Sequence, residues 1–225
     1  MVTQQKNINR LVAVLKARAI GNAKIYAVTE NDAVKLAKIA NGLGIPFEWL
    51  VNLINFESAG TFSPKVKNPT SSASGLIQFM ATTARAYGTT TATLRGMTFS
   101  QQLDYVEKYL KDMPGFKSGK APANFTQLDL FMGIFYPSAM YKGTGYTFNA
   151  TVQKANPGIK TAGDYFKYAK EKAIFPDAPS TLEQYNAWNT GTATPEVKSQ
   201  TGNMFFLAVL AVGLFYLYKK STGND

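Results

Sequence analysis

The sequence predicts a mainly α-helical domain that is followed by a linker and a C-terminal transmembrane helix. Apolar residues recur at helical spacing in several segments, and no segment shows the sustained alternation of a half-buried strand. A run of 15 uncharged residues, 204–218, follows a stretch rich in Pro and Thr. The predicted units are a basic N-terminal arm (1–28), a helical domain (29–175), a linker (176–202) and a membrane span (203–220).

Composition limits the chemistry that is open to this chain. It has 24 Lys and Arg against 14 Asp and Glu, and a surface with net charge +10 favours a polyanionic partner such as nucleic acid, anionic lipid or an acidic wall polymer. There is no Cys and no His, which excludes disulfides and nucleophiles that depend on a histidine base. Catalysis would therefore use carboxylates, tyrosines, lysines or backbone groups, and we expect neither a metal nor another cofactor.

The N-terminal segment 1–28 carries five basic residues and no acidic one: Lys6, Arg10, Lys16, Arg18 and Lys24. Its longest apolar run, 11–15, is too short for the core of a signal peptide. We expect a solvated arm or a short surface helix. Contact with a membrane surface or with nucleic acid is the alternative.

Two helices are predicted at the start of the domain. Thr29, with Asp32 three residues later, is typical of a helix start, and this helix should run to about Asn41 and end at Gly42 and Gly44. Pro46 suits the first turn of the second helix, where no N–H is needed. Apolar residues at helical spacing make this second helix central to the core: Phe47, Leu50, Val51, Ile54 and Phe56. It should end near 58–60.

Four further helices are predicted, at 75–87, 100–111, 127–136 and 162–174. The segment before them, 61–74, is rich in Ser, Thr, Pro and Asn and is expected to be a loop.

The segment 204–218 is short for a membrane span. A helix of this length rises about 22 Å, against a hydrocarbon core of about 30 Å. Residues 201–203 and snorkelling of Lys219 and Lys220 bring it near the lower limit. The preceding linker and the lysine pair favour a span over the alternative, a buried core helix. The lysines favour a cytoplasmic C-terminus, whereas tail-anchored insertion gives the opposite topology, and both stay open.

Glu57 is the strongest catalytic candidate. It lies on one face of the second helix with Phe47, Leu50 and Ile54, at spacings of 3, 4 and 3 residues. Burial and the negative end of the helix would both raise the pKa of its carboxyl group, as proton donation near neutral pH requires. A helix-end carboxylate that faces solvent is the alternative.

Two sequence stretches around this residue, 57–64 (ESAGTFSP) and 72–80 (SASGLIQFM), resemble the lytic transglycosylase and goose-type lysozyme superfamily. In that family a Glu-Ser pair ends a core helix, and a Gly-Leu-Met-Gln-like turn opens the next helix about eighteen residues later. Here Gly75 follows Glu57 by 18 residues. The resemblance covers roughly 29–175 and implies a lysozyme-like transglycosylase domain.

The resemblance also implies roles for single residues. Glu57 would be the catalytic acid/base, Ser58 and Gln78 would bind substrate or brace the site, and Gly75 would let the backbone pass close to the sugar. The plainer alternatives are that Gln78 caps a local backbone group and that Gly75 only turns the chain.

A tyrosine is implied to orient the glutamate. Tyr136 lies in a stretch (FYPSA, 135–139) similar to the family's Tyr-Asn-x-Gly-like element, although Pro137 replaces the asparagine. Tyr141 and Tyr146 are the alternatives for this role.

The family's activity is cleavage of the β-1,4 bond between N-acetylmuramic acid and N-acetylglucosamine in peptidoglycan, with a 1,6-anhydromuramic acid product. One glutamate would suffice, because no other acidic residue follows Glu57 until Asp104. The alternatives are a hydrolytic muramidase that recruits Asp104 or Asp129, an inactive glycan-binding module, and a membrane-active structural protein.

A wall-cutting domain without an evident export signal but with a C-terminal anchor fits a virion protein of a membrane-containing bacteriophage that opens the wall for genome entry. The expected location is the virion membrane, as a single-pass protein that acts in the host envelope. The expected partners are peptidoglycan strands, a lipid membrane through 203–220, anionic lipid or wall polymer through 1–28, and other virion proteins. A bacterial tail-anchored enzyme is the alternative.

Overall fold

A computed structural model of the chain describes residues 2–189. Within this range the backbone forms ten α-helices and one 3₁₀ turn, with isolated β-bridges and no strand. The helices are α1 (Val2–Ala19), α2 (Glu30–Leu43), α3 (Phe47–Glu57), α4 (Ala81–Ala86), α5 (Thr91–Gly96), α6 (Phe99–Lys111), α7 (Gln127–Phe135), α8 (Ala150–Ala155), α9 (Ala162–Glu171) and α10 (Leu182–Asn189); the 3₁₀ turn is Pro137–Ala139. The prediction of a mainly α chain is confirmed for these residues.

Helix α3 is the centre of the fold. All of its 11 residues are buried, and α2, α7 and α9 pack around it. Its largest side chain, Trp49, is fully buried and donates from Nε1 to the carbonyl of Pro179 at 2.6 Å. A helix this apolar is stable in water only when neighbouring elements cover it on every side.

Capping boxes determine where four of the surrounding helices begin. In α2 the Thr29 side chain accepts from the backbone of Asp32, whose carboxylate accepts in return from the backbone of Thr29. The same arrangement starts α6, α7 and α9. Each box satisfies two N–H groups that a helix end otherwise leaves unpaired. The predicted start of α2 and its end at Gly44, with φ 70°, agree with the structure.

The segment 75–80 is not helical, in contrast to the predicted helix over 75–87. It forms a tight hairpin in which Ser74 and Phe79 exchange two backbone hydrogen bonds, at 3.0 and 2.8 Å. Gly75 and Gln78 both have left-handed backbones, which a helix does not accept. Helix α4 therefore begins only at Ala81.

Residues 2–19 form a helix that belongs to the domain, in contrast to the predicted separate arm. Ile8, Leu11 and Leu15, at helical spacing, are buried in the common core. Arg10 donates to the carbonyl of Ile174 at 3.0 Å, and Arg18 donates to Oδ1 of Asn55 at 3.0 Å. The sequence prediction weighed the charges of this segment and overlooked its short apolar stripe.

The domain also continues past its predicted end at 175. Ala178 is buried, and Thr126 and Thr181 form a β-bridge before α10 begins at Leu182. The predicted linker therefore does not begin at 176. Among the described residues, no helix combines the length and the apolar character needed to cross a membrane. The predicted span, 203–220, lies outside residues 2–189.

We expect α1 to be needed for folding. Replacing Leu11 by Ala should lower the free energy of unfolding by roughly 2–5 kcal/mol, because it leaves a cavity in the common core. Urea denaturation measures this value. The matched control, Ala13→Ser on the exposed face of α1, should change it by less than about 0.5 kcal/mol. Equal stabilities of the two variants would show that α1 is not part of the cooperative unit.

Candidate active site

Glu57 is the last residue of α3, and its carboxyl group is buried. The residue is 8% exposed, and its Oε1 accepts a long hydrogen bond from the Tyr165 hydroxyl at 3.5 Å. Burial raises the pKa of Glu57 from 4.5 to about 8, although the hydrogen bond from Tyr165 opposes part of this rise. The carboxyl group is thus mainly protonated at pH 7, as a proton donor must be.

Tyr165, on α9, is the hydrogen-bond partner of Glu57. Its ring stacks on Phe135 with centroids 4.3 Å apart and meets the edge of Phe56 at 5.4 Å. Burial and the neighbouring Glu57 raise the pKa of Tyr165 well above 10. Its hydroxyl therefore stays protonated and donates a hydrogen bond to Glu57.

The sequence prediction missed Tyr165 and named Tyr136 for this role. A signal was present, since Tyr165 lies between Ala162 and Ala169 on the buried face of α9, and a buried tyrosine hydroxyl requires a partner. Tyr136 packs in a different aromatic contact, with the centroid of its ring 5.3 Å from that of Phe148.

The hydroxyl of Tyr136 accepts from Asn149 Nδ2 at 3.4 Å. Burial, and then the neighbouring Tyr146, raise the pKa of Tyr136. Of the two alternatives that the sequence left open, Tyr146 packs against Tyr136 at 5.9 Å, and Tyr141 donates to the carbonyl of Pro114 at 2.7 Å.

Ser58 braces the chain just after the catalytic candidate. Its side chain is fully buried, and its Oγ accepts from the backbone of Phe62 at 2.9 Å. The turn that it holds includes Ala59 and Phe62, which have φ values of 52° and 51°. Left-handed backbone in such residues costs roughly 1–2 kcal/mol each, so this turn is held by its surroundings.

The hairpin 74–79 presents Gln78. Its backbone has φ 54°, and its side-chain Nε2 donates to the carbonyl of Gly75 at 3.0 Å. Among residues 2–189 its Oε1 has no hydrogen-bond partner, although the residue is buried. The oxygen is also enclosed by the protein, so a ligand would reach it only if the surrounding side chains moved. A cavity of about 10 Å³, with room for about one water molecule, is lined by Ile77, Gln78, Phe79, Met80, Thr83, Tyr109 and Ile134, and Glu57 is not among its lining residues.

Gln102, on α6, connects the hairpin to two other segments through hydrogen bonds of its side chain. The sequence prediction missed this residue. Its Oε1 accepts from the backbone of Leu76 at 2.6 Å. Its Nε2 donates to the carbonyls of Leu94, at 2.7 Å, and Pro64, at 3.2 Å. A Cβ at Gly75 would overlap this carboxamide, which gives Gly75 a packing role in addition to its left-handed turn, with φ 80°.

The two acidic residues weighed as a second catalytic carboxylate are engaged in other contacts. Asp104 forms an ion pair with Lys35 at 2.6 Å. Asp129 accepts from Thr126 at the start of α7 and from the backbone of Tyr141 at 2.6 Å. The structure thus brings Tyr165 to Glu57, while Ser58, Gly75 and Gln78 shape the two turns that follow α3.

Comparisons of the chain with protein-family models, with curated proteins and with solved structures find no match. The chemistry of the site is therefore argued from its residues.

We expect Glu57→Gln to stabilise the fold at neutral pH. Because the folded pKa, about 8, exceeds the unfolded value, 4.5, folding takes up a proton at neutral pH, and wild-type stability falls as the pH rises between these values. Removing this proton uptake should raise the free energy of unfolding at pH 7 by about 3 kcal/mol. At pH 4 it should change little. Urea denaturation at both pH values measures the difference.

The control for this experiment is Glu171→Gln, an exposed position on α9. It should change stability by less than about 0.5 kcal/mol at either pH. A Glu57→Gln variant that is less stable than wild type at pH 7 would mean that the Glu57 carboxyl is ionised in the folded protein.

We expect Gln102→Ala to weaken the whole loop region. The change leaves the Leu76 N–H and the Pro64 carbonyl without these partners, while the Leu94 carbonyl keeps its hydrogen bond from the Met97 N–H, and it should lower the free energy of unfolding by roughly 2–5 kcal/mol. Lys108→Ala, at an exposed position on the same helix, serves as the control. Thermal and urea denaturation of both variants measure the effect, and similar values for the two would rule out a bracing role for Gln102.

Proposed function

We propose that this chain is a peptidoglycan lytic transglycosylase with Glu57 as its single acid/base. The observation that carries the proposal is a buried carboxyl group, with a pKa of about 8, at the end of the central helix. Glu57 belongs to a Glu-Ser pair that is followed by a Gly-Leu-Ile-Gln turn, 75–78, and this pattern resembles the lysozyme-like transglycosylase superfamily.

In the proposed reaction protonated Glu57 donates its proton to the glycosidic oxygen between muramic acid and glucosamine. The bond from the muramic C1 to that oxygen breaks, and its electron pair stays with the departing glucosamine. The Glu57 carboxylate then takes the proton of the muramic C6 hydroxyl while O6 bonds to C1. This step closes the 1,6-anhydro ring and returns the proton to Glu57, so the reaction needs no water.

The engagement of Asp104 and Asp129 favours this reaction over hydrolysis. A hydrolase needs a second carboxylate that attacks the sugar or activates water. Asp104 is paired with Lys35, and Asp129 is committed to the helix cap and to Tyr141. A muramidase that uses water remains the second candidate, and product analysis separates the two. An inactive glycan-binding module would have no need for a carboxyl group with so high a pKa.

For the cellular context we propose a membrane-anchored virion protein. The apolar run 204–218 and the lysine pair after it support a single C-terminal span. In the virion membrane of a bacteriophage, such a protein would open the host wall locally for genome entry. Peptidoglycan strands are its substrate, and other virion proteins are its proposed neighbours.

Glu57→Gln should abolish wall lysis while the protein stays folded. Loss of a general acid costs roughly 10²–10⁴-fold in rate, and an amide has no proton to donate at this position. Turbidity loss of purified peptidoglycan measures the rate, and circular dichroism verifies the fold. Activity above about a tenth of wild type would remove Glu57 from its assigned role.

The product of the wild-type enzyme should end in 1,6-anhydromuramic acid. Mass spectrometry of digests in heavy-oxygen water distinguishes the mechanisms, because hydrolysis adds one labelled oxygen and transglycosylation adds none. Labelled reducing ends would establish the muramidase instead, even with Glu57 essential.

A further inference from the structure

One face of α1 is exposed from Lys6 to Lys16, and the exposure continues to Ile20 just after the helix. Lys6, Asn9, Ala13, Lys16 and Ile20 follow one another at spacings of 3, 4, 3 and 4 residues, and all five are exposed. The opposite face holds the buried residues of this helix. At the end of this outer face the chain turns, and we call residues 16–24 the α1 tip.

Ile20 projects from the α1 tip into solvent. It is 81% exposed, whereas Tyr141, the other exposed large apolar residue in the described range, is 39% exposed. Three backbone hydrogen bonds hold the tip in two successive turns: Ile20 to Ala17 at 3.3 Å, Asn22 to Ala19 at 3.1 Å and Ile25 to Asn22 at 3.1 Å. The exposure of Ile20 is therefore a property of an ordered turn.

The charge around Ile20 is positive. Lys16 and Lys24 are exposed, and neither takes part in an ion pair within residues 2–189. Residues 2–29 include no carboxylate. The acidic side chains that bond to α1, Glu30 and Glu48, contact Gln5 and Asn7, in the half of the helix away from the tip.

We propose that the α1 tip docks on the surface of an anionic lipid bilayer. Ile20 enters the boundary between headgroups and acyl chains, while Lys16 and Lys24 pair with lipid phosphates. An apolar residue within a basic surface is the combination that such a boundary binds, because it offers both an apolar phase and negative charge. A dissolved polyanion, such as a wall polymer, supplies the charge but has nowhere to bury Ile20.

Docking at the tip also orients the candidate site. Arg18, in the same turn, donates to Asn55, which lies two residues before Glu57. The tip therefore lies beside the catalytic end of α3, and a docked domain presents that end close to the bilayer.

The test uses the full chain with one fluorescent label. Because the chain has no cysteine, Ala17→Cys carries a single environment-sensitive dye one turn before Ile20. Thr151→Cys, exposed on α8, carries the control label. Emission is recorded with phosphatidylglycerol vesicles and with phosphatidylcholine vesicles. The label is the readout because residues 203–220 are expected to bring the protein to either vesicle.

We expect the emission of the dye at residue 17 to shift to the blue with phosphatidylglycerol vesicles and not with phosphatidylcholine vesicles. The dye at residue 151 should show no shift with either. Ile20→Ser in the Ala17→Cys background should lower the ratio of docked to undocked tip, read from the size of the shift, roughly 10- to 100-fold. Lys16→Gln should lower this ratio about fivefold, and 1 M salt should reduce it further.

Several results would overturn the proposal. They are no shift at residue 17 with phosphatidylglycerol, an equal shift at residue 151, an unchanged response in Ile20→Ser, or the same shift with inorganic polyphosphate in place of vesicles. Lysis of purified peptidoglycan separates this proposal from the catalytic one, because Ile20→Ser should lyse it at the wild-type rate. A shift at residue 17 in a wild-type chain without lytic activity would leave docking intact and refute only the enzyme.

Discussion

The position of Glu57 depends on a row of polar side chains along the opposite side of α3. Glu48, Asn52 and Asn55 recur at spacings of 4 and 3 residues, and all three are buried. Asn52 exchanges hydrogen bonds with the backbone of Phe175, at 2.9 and 3.0 Å, and Asn55 bonds Arg18 and the carbonyl of Lys172. Apolar packing alone tolerates small rotations of a helix, whereas these directional bonds do not. The row thus determines the rotation of α3, and with it the direction of Glu57.

A second constraint comes from the charge of Glu57 itself. No cation bonds this carboxyl among the described residues, and its recorded partner is the neutral hydroxyl of Tyr165. A buried carboxylate without a cation is unstable, so the group keeps its proton at the expense of folding free energy at neutral pH. A nearby arginine would have stabilised the fold and removed the proton donor. The cations that approach α3, such as Arg18, lie on its other side, at Asn55.

The sequence predicted those features that local patterns determine. The start of α2 and the ends of α3 follow from Thr29, Asp32, Pro46 and the apolar spacing between them, and the structure agrees. Features that depend on distant contacts were missed. Tyr165 bonds to a residue about a hundred positions away along the chain, and Gln102 bonds to residues up to about forty positions away. The sequence around each of them does not indicate which residue its partner is. The segment 75–80 was predicted as helix because nothing in its sequence reveals the left-handed backbones of Gly75 and Gln78 or the backbone hydrogen bonds between Ser74 and Phe79.

The turns after α3 connect the proposed role of the Glu57 carboxyl group with the bracing role of the Gln102 carboxamide. Between 59 and 78, five residues have left-handed backbones, and three of them, Ala59, Phe62 and Gln78, are not glycine. Such turns persist only when their surroundings over-determine them. Ser58 holds the first turn, and Gln102 ties the hairpin to both Pro64 and Leu94. In the proposed reaction the acid and its conjugate base act in turn at the glycosidic oxygen and at O6 of the muramic acid, so the muramic acid must not shift between the two steps. Turns that are braced in this way meet that requirement, and a flexible loop of the same composition would not.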